Sequence, residues 1–374
     1  MPTARKSPQS AVVEVTTSAR FADEHAAGSE SSRGRLLLAS CRSGSYLARR
    51  VAAAYERQTG ETRPLLHLEN IDHQFSDGET NVRLEQDVNG CDVFLLQGLY
   101  DPTSQRGVDE NYLAFLIAAR ALQEWGANYV TAVLPYLAYA RQDKPTKFER
   151  EPTTAKLMAD LSIEAGIDRL VVWHPHYQQT HGFYGKIPVD VLDGLNLFIE
   201  QFQPFAGRPD VIAVAPDAGA SKFVTHFSRA LNLNSAIASK YRPRPEEAVV
   251  SEIIGDFSDK RIAIVLDDMV SSGGTIYALI KKLVDAMGIE EVYLAASHNL
   301  GLPSAGERLA ELHANYHLKQ VIFTNSIPPT EAFQRLPFVQ IHCLADTLSQ
   351  VVNRIHYNRS VSDLFYNHRL SRPA

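Results

Sequence analysis

The stretch Arg261-Ile-Ala-Ile-Val-Leu-Asp-Asp-Met-Val-Ser-Ser-Gly-Gly-Thr-Ile276 decides the fold, because it changes character twice. Residues 262–266 form an unbroken apolar run rich in β-branched side chains. That is the pattern of a parallel strand covered on both faces, so a central strand is expected here. Asp267 and Asp268 close the strand at its C-terminal edge, where open α/β sheets bind ligands. Ser271, Ser272, Gly273, Gly274 and Thr275 then open a helical pattern over 276–287. Small side chains leave backbone N–H groups facing outward, and a helix N-terminus adds positive potential, so the turn suits a phosphate. Two carboxylates would repel that phosphate unless they held something else. A sugar phosphate satisfies both, with its phosphate in the turn and its hydroxyls on the acids.

Outward from this stretch, apolar runs alternate with amphipathic ones. Strands are expected at 36–40, 92–97, 129–135, 168–173, 211–215, 292–296 and 320–323, and helices at 46–55, 112–125, 156–164 and 348–354. This alternation implies parallel sheets with right-handed crossovers. Phe75-Ser-Asp-Gly-Glu79 reads as a hairpin turn with an exposed aromatic. Residues 139–152, which contain Arg141, Gln142 and Asp143, form a long polar loop of the kind tied to function. His174-Pro-His176 stands at a strand's C-terminal end with His181 further on, a trio able to meet a divalent ion. Around 188–193 the pattern restarts. Pro216-Asp217-Ala-Gly219 is a second ligand-friendly turn, and a strand edge at 236–240 leaves into a cationic flap bearing Lys240, Arg242 and Arg244. Residues 360–365 read as a strand or docking segment.

The chain has 374 residues, too many for one modest core, so two domains are expected. A net charge of -6 gives bulk electrostatics no role with nucleic acid or a membrane surface. No apolar run approaches the ~20 residues of a membrane span. The three cysteines, Cys41, Cys91 and Cys343, are widely spaced, which argues for a reducing, cytoplasmic location without disulfides or a zinc site. Residues 1–34 lack periodicity and are expected to be a disordered tail.

The segment 36–365 resembles the ribose-phosphate pyrophosphokinases. The resemblance rests on the series Phe75-Ser-Asp-Gly-Glu79, Tyr139-Ala-Arg-Gln-Asp143, 152–156, His176 with Gly182-Phe183, Pro216-Asp-Ala-Gly219, Lys240 with Arg242, and 267–275, in the family's order and spacing. It implies two tandem doubly wound parallel-sheet domains of phosphoribosyltransferase type: 35–190 on the ATP side and 191–347 on the ribose 5-phosphate side. Residues 348–374 would pack back on the first domain. The implied reaction moves the β,γ-diphosphoryl group of MgATP to the anomeric hydroxyl of ribose 5-phosphate. By the same resemblance, Lys240 and Arg242 are catalytic, and Phe75, Asp77, Glu79, Arg141, Gln142, Asp143 and His176 bind ATP. Asp217, Asp267, Asp268 and 271–275 would hold ribose 5-phosphate, and His176 and Asp217 would meet Mg2+. Phe75, Asp77 and Glu79 would act across a subunit boundary, so a homo-oligomer, a dimer-based hexamer, is implied. The chain departs from the family pattern at His174, where an Asp is usual, and at Ser271, where many members carry an acid. Phe148 and Glu149 replace a more basic pattern and speak against activation by inorganic phosphate. Two alternatives share parts of this pattern: a catalytically silent regulatory homologue and a phosphoribosyltransferase. Lys240, Arg242, His176 and Asp217 speak against the first, and Phe75–Glu79 with Arg141–Asp143 against the second.

Overall fold

The computed structural model describes residues 12–13, 31–59, 65–244 and 247–365, with side chains described for all but 12–13, 178, 180, 240–251, 363 and 365. After β1 (Val12–Val13), the first half contains β2 (Arg35–Ser40), β3 (Leu66–Leu68), β4 (Asp72–Gln74), β5 (Thr80–Val82), β6 (Cys91–Leu96), β7 (Tyr129–Leu134), β8 (Arg169–Trp173) and β9 (Val189–Leu192). Helices α1 (Ser45–Thr59), α2 (Val108–Glu124) and α3 (Thr154–Glu164) lie between them. The sheet order is β3-β2-β6-β7-β8-β9, and every pairing is parallel. The apolar runs sit inside because helices cover both faces, as a parallel sheet requires. On one face α2 contributes Phe115, Ala118 and Leu122; on the other α1 contributes Leu47, Val51 and Tyr55. β4 and β5 form a separate antiparallel hairpin that carries Phe75, Asp77 and Glu79 at its turn.

The second half contains α4 (Leu195–Phe202), β10 (Val211–Ala215), α5 (Ser221–Leu231), β11 (Asn234–Arg244), β12 (Glu247–Ile254), β13 (Ile262–Val270), α6 (Gly274–Met287), β14 (Glu291–Asn299), α7 (Pro303–Asn315), β15 (Leu318–Thr324), α8 (Glu331–Gln334), β16 (Val339–His342), α9 (Ala345–His356) and α10 (Ser362–Phe365). Its sheet runs β1-β16-β15-β14-β13-β10-β11-β12, parallel throughout except at β11 and β12. β13 is central, as its apolar run implies, with its residues 262–266 buried.

Several boundaries differ from those read in the sequence. β13 continues past its acids to Val270, because pairing with β14 persists there (Met269 with His298, Val270 with Asn299). The apparent restart at 188–193 spans β9, which completes the first sheet through its pairing with β8. The cationic flap is not an irregular loop. β11 and β12 pair antiparallel, with register shifts at Ser239/Lys240 and Tyr241/Arg244. Within the expected tail, Val12 and Val13 pair with Ile341 and His342 at the sheet edge, where β16 offers unpaired backbone groups. The rest of residues 1–30 lies outside the described residues. The 360–365 segment is helical over Ser362–Phe365, and Val361 and Leu364 pack against the α1/α9 cluster.

α9 lies on the first half of the chain, burying Leu348, Val351, Val352 and Ile355 against α1. A buried ionic group ties this return. The Arg33 guanidinium donates two 2.9 Å hydrogen bonds to Asp92, whose carboxylate also lies 2.8 Å from His356 Nδ1. Asp92 is fully buried, and such a charge is tolerated only when paired and hydrogen-bonded. The halves also meet near the sheet edges, where Met269, Leu300 and Ile327 pack into the core of the first domain.

Candidate active site

The C-terminal edges of both sheets face one cleft of about 990 Å³. β13 delivers Asp267 and Asp268 to its floor, and 271–275 forms one wall. Gly273 has φ +77° just before α6, a left-handed conformation that glycine adopts without strain, and it lines the cleft together with Gly274 and Thr275 at the helix start. A side chain there would meet Ala305 at an ordinary 3.4 Å, so backbone conformation, not space, selects glycine. Nη1 of Arg308, on α7, donates a 2.6 Å hydrogen bond to the carbonyl of Ser272 and fixes the turn from behind.

The two acids differ in how readily they ionise. Burial raises the Asp267 carboxyl well above the usual range, and the neighbouring charges of Asp268 and Asp217 push it further. Burial would also raise Asp268, but the His176 hydrogen bond and charge outweigh it and hold that carboxyl at about 2. The bond joins His176 Nδ1 and Asp268 Oδ2 at 2.5 Å and crosses from the first domain to the second. Asp217, after β10, turns its Oδ1 to the amides of Gly219 and Ala220 at 2.8 and 3.2 Å, which shapes the opening of α5 on the opposite wall.

The sequence-predicted residues divide into three groups. Arg141, His176, Asp217, Asp267, Asp268 and 271–275 all line the cleft. Gln142 and Asp143 belong to the same loop as Arg141 without lining it, and Gln142 instead pairs through its backbone with Tyr139 and Ala155. Phe75, Asp77 and Glu79 are also absent from the lining. They sit on the β4–β5 turn, with Phe75 52% exposed and the Asp77 carboxylate accepting the Glu79 amide at 3.1 Å. For Lys240 and Arg242 the backbone lies on β11 directly beyond Ser239, which lines the cleft, while their side chains lie outside the described ones.

Of the histidine trio, His174 and His176 both line the cleft and His181 does not. His174, at φ +40°, puts Nδ1 2.5 Å from Ser297 Oγ and packs at a tilt against Phe223 with 4.6 Å between ring centres, and burial lowers its pKa. His181 is exposed on a short 3-10 turn. Among the described residues no group of three or more His, Cys, Asp or Glu is arranged to hold a metal ion by itself. Sequence reasoning missed Arg308, Ser297 and Phe223, since each reaches the site from an element distant in sequence and none carries a local pattern.

The cleft therefore offers a Gly-rich turn at a helix start beside a carboxylate pair, with Arg141 and His176 contributed by the other domain. Residues 36–166 match the family model for the N-terminal domain of ribose phosphate pyrophosphokinase, and residues 212–366 match the phosphoribosyl synthetase-associated domain. The chain is 37% identical over 293 residues to the ribose-phosphate pyrophosphokinase of Clostridium acetobutylicum, covering 78% of this chain and 88% of that one. It is 35% identical over 318 residues to that of Caldanaerobacter subterraneus subsp. tengcongensis, covering 82% and 96%. The phosphoribosylpyrophosphate synthetase structure from Mycobacterium smegmatis superposes with a TM-score of 0.74 at 29% identity, covering 87% of this chain and 99% of that one. By sequence along most of its length and by the course of both domains, the chain belongs to the ribose-phosphate pyrophosphokinase family.

Proposed function

We propose that this enzyme transfers the diphosphoryl group of MgATP to the anomeric hydroxyl of ribose 5-phosphate, giving phosphoribosyl pyrophosphate and AMP. The observation that carries the proposal is the composition of one cleft, with 267–275 from the second domain facing Arg141 and His176 from the first. In this assignment the amides and hydroxyls of 271–275 hold the 5-phosphate, and Asp267 and Asp268 hold the ribose hydroxyls. The two adjacent carboxyl groups can each accept a hydrogen bond from a sugar hydroxyl, which suits a hydroxyl pair. Arg141 and His176 meet the triphosphate, with Gln142 and Asp143 supporting that loop.

Mg2+ fits this donor set as an ion carried in largely by phosphate and water. Asp217 and His176 line the cleft as single contacts, and the converging acids that raise Asp267 would be relieved by a cation. When bound, the ion neutralises triphosphate charge. The anomeric hydroxyl oxygen bonds to the β-phosphorus and gives up its proton to solvent as the bond from that phosphorus to the α–β bridging oxygen breaks, with AMP as the leaving group. Lys240 and Arg242, on the hairpin that begins at the cleft wall, stabilise the charge moving onto that bridging oxygen. Phe75, Asp77 and Glu79 lie outside this cleft's lining and serve adenine in a second subunit's site, so the working unit is a homo-oligomer built on dimers. No helix among the described residues is long and apolar enough to cross a membrane, and the three cysteines are free and buried, in keeping with a cytoplasmic enzyme. AMP formation from ATP that depends on ribose 5-phosphate tests the proposal. A silent regulatory homologue forms no AMP, and a phosphoribosyltransferase consumes phosphoribosyl pyrophosphate instead.

A further inference from the structure

We infer that Tyr100, a first-domain residue outside the cleft lining, is a positioning residue for the phosphate turn of the second domain. Its hydroxyl donates a 3.0 Å hydrogen bond to the carbonyl of Leu300, across the domain boundary. The amide of Leu300 in turn donates a 3.0 Å hydrogen bond to the carbonyl of Val270, the residue before Ser271. The first domain thus reaches the start of the turn through two hydrogen bonds and one residue.

Packing makes this link stiff. Met269 and Leu300, on either side of the Val270 carbonyl, are packed against the first domain's core. Next to Leu300, Gly301 adopts φ +69°, and a Cβ there would lie 3.1 Å from Pro102 of the first domain and 3.1 Å from Thr330. The 100–102 loop therefore presses directly on the connection that follows β14. The far end of the turn is held from its own domain by Arg308 at the Ser272 carbonyl. One anchor moves with the second domain and the other with the first, so the relative position of the domains sets the shape of the turn. The Tyr100 ring meets Tyr136 edge-on at 6.4 Å, and Tyr136 meets His298 at 5.1 Å, which continues the contact along β14 beneath the cleft.

The inference rests on the proposed placement of ribose 5-phosphate in 271–275. Tyr100→Phe keeps the ring and removes only the hydroxyl. A neutral hydrogen bond of this kind corresponds to about fivefold in an equilibrium. The expected result is a KM for ribose 5-phosphate raised about fivefold at saturating MgATP, with the KM for ATP unchanged and the Tm lowered by about 4 °C at most. A merely structural tyrosine would lower Tm and leave the two KM values unchanged or moving together, and either pattern overturns the inference. Thr275→Ala, made in parallel, removes a hydroxyl from the turn itself. If Thr275→Ala raises the KM for ribose 5-phosphate and Tyr100→Phe does not, the positioning role is wrong and the substrate placement stands. If neither variant moves it, the placement falls and the inference with it.

Discussion

Asp267 and Asp268 are sequence neighbours with opposite electrostatic fates, and each yields a test. Asp267 is a buried acid crowded by two others, so its ionisation is disfavoured in the folded chain relative to the unfolded one. A folded-state value raised in this way withdraws stability as the pH rises through it. Asp267→Asn removes the titration while keeping an acceptor for the Asp268 amide, now 2.9 Å from its Oδ1. The variant is expected to have a higher Tm than the parent at pH 8, and to lose ribose 5-phosphate binding in calorimetry. A lower Tm would contradict the assignment. Asp268 has the reverse sign. Its depressed value stabilises the fold above the ordinary carboxylate range, and that contribution is lost as the pH falls toward about 2. In His176→Ala, burial loses its largest opponent while the His174 charge and the Asp267 hydrogen bond remain, so the Asp268 carboxyl should titrate clearly above about 2 in a site-resolved NMR titration. Titration remaining near 2 would show that His176 is not the cause.

The elements that place these residues were legible to different degrees. The turn from β13 into α6 was the clearest, because an apolar run, an acid pair and a Gly-rich helix start follow each other without interruption. Gly273→Ala forces a β-carbon into the left-handed region, which costs on the order of 1–3 kcal/mol. It should raise the KM for ribose 5-phosphate roughly tenfold or more while leaving ATP binding intact, as steady-state kinetics would show. The end of β13 was not legible, since Asp-Asp breaks the apolar pattern and only the pairing of Met269 and Val270 with β14 carries the strand onward. The β11–β12 hairpin was hidden by its lysine, arginines and prolines, which look like a connector although the backbone pairs. Lys240→Ala on that hairpin is expected to lower kcat by about 100-fold or more, ~3–4 kcal/mol, with ATP affinity retained. Equal losses of both would remove Lys240 from its catalytic role. The first domain offers a comparison. Its own turn after β2 is closed, for a Cβ at Gly44 would lie 2.3 Å from the Leu96 carbonyl, so backbone fills the space that 271–275 leaves open.

At the scale of the whole molecule, two sheets of the same kind contribute unequal walls to one cleft. Local patterns announced each wall, but nothing in them foretold that His176 would bond Asp268 across the domains, because that contact depends on how two cores dock. The docking is reinforced from the chain's end, where α9 returns to α1. Leu348 is 1% exposed there and does not line the cleft, so Leu348→Ala should lower stability by about 2–5 kcal/mol in denaturant unfolding with kcat unchanged. The central claim is that the cleft directs a sugar hydroxyl to the β-phosphorus of ATP. Phosphorus NMR of the reaction with MgATP and ribose 5-phosphate tests it most directly. AMP and phosphoribosyl pyrophosphate should appear in equal amounts, with the ATP β-phosphorus signal moving into the sugar diphosphate, whereas accumulation of ADP, or of AMP without ribose 5-phosphate, would contradict the account.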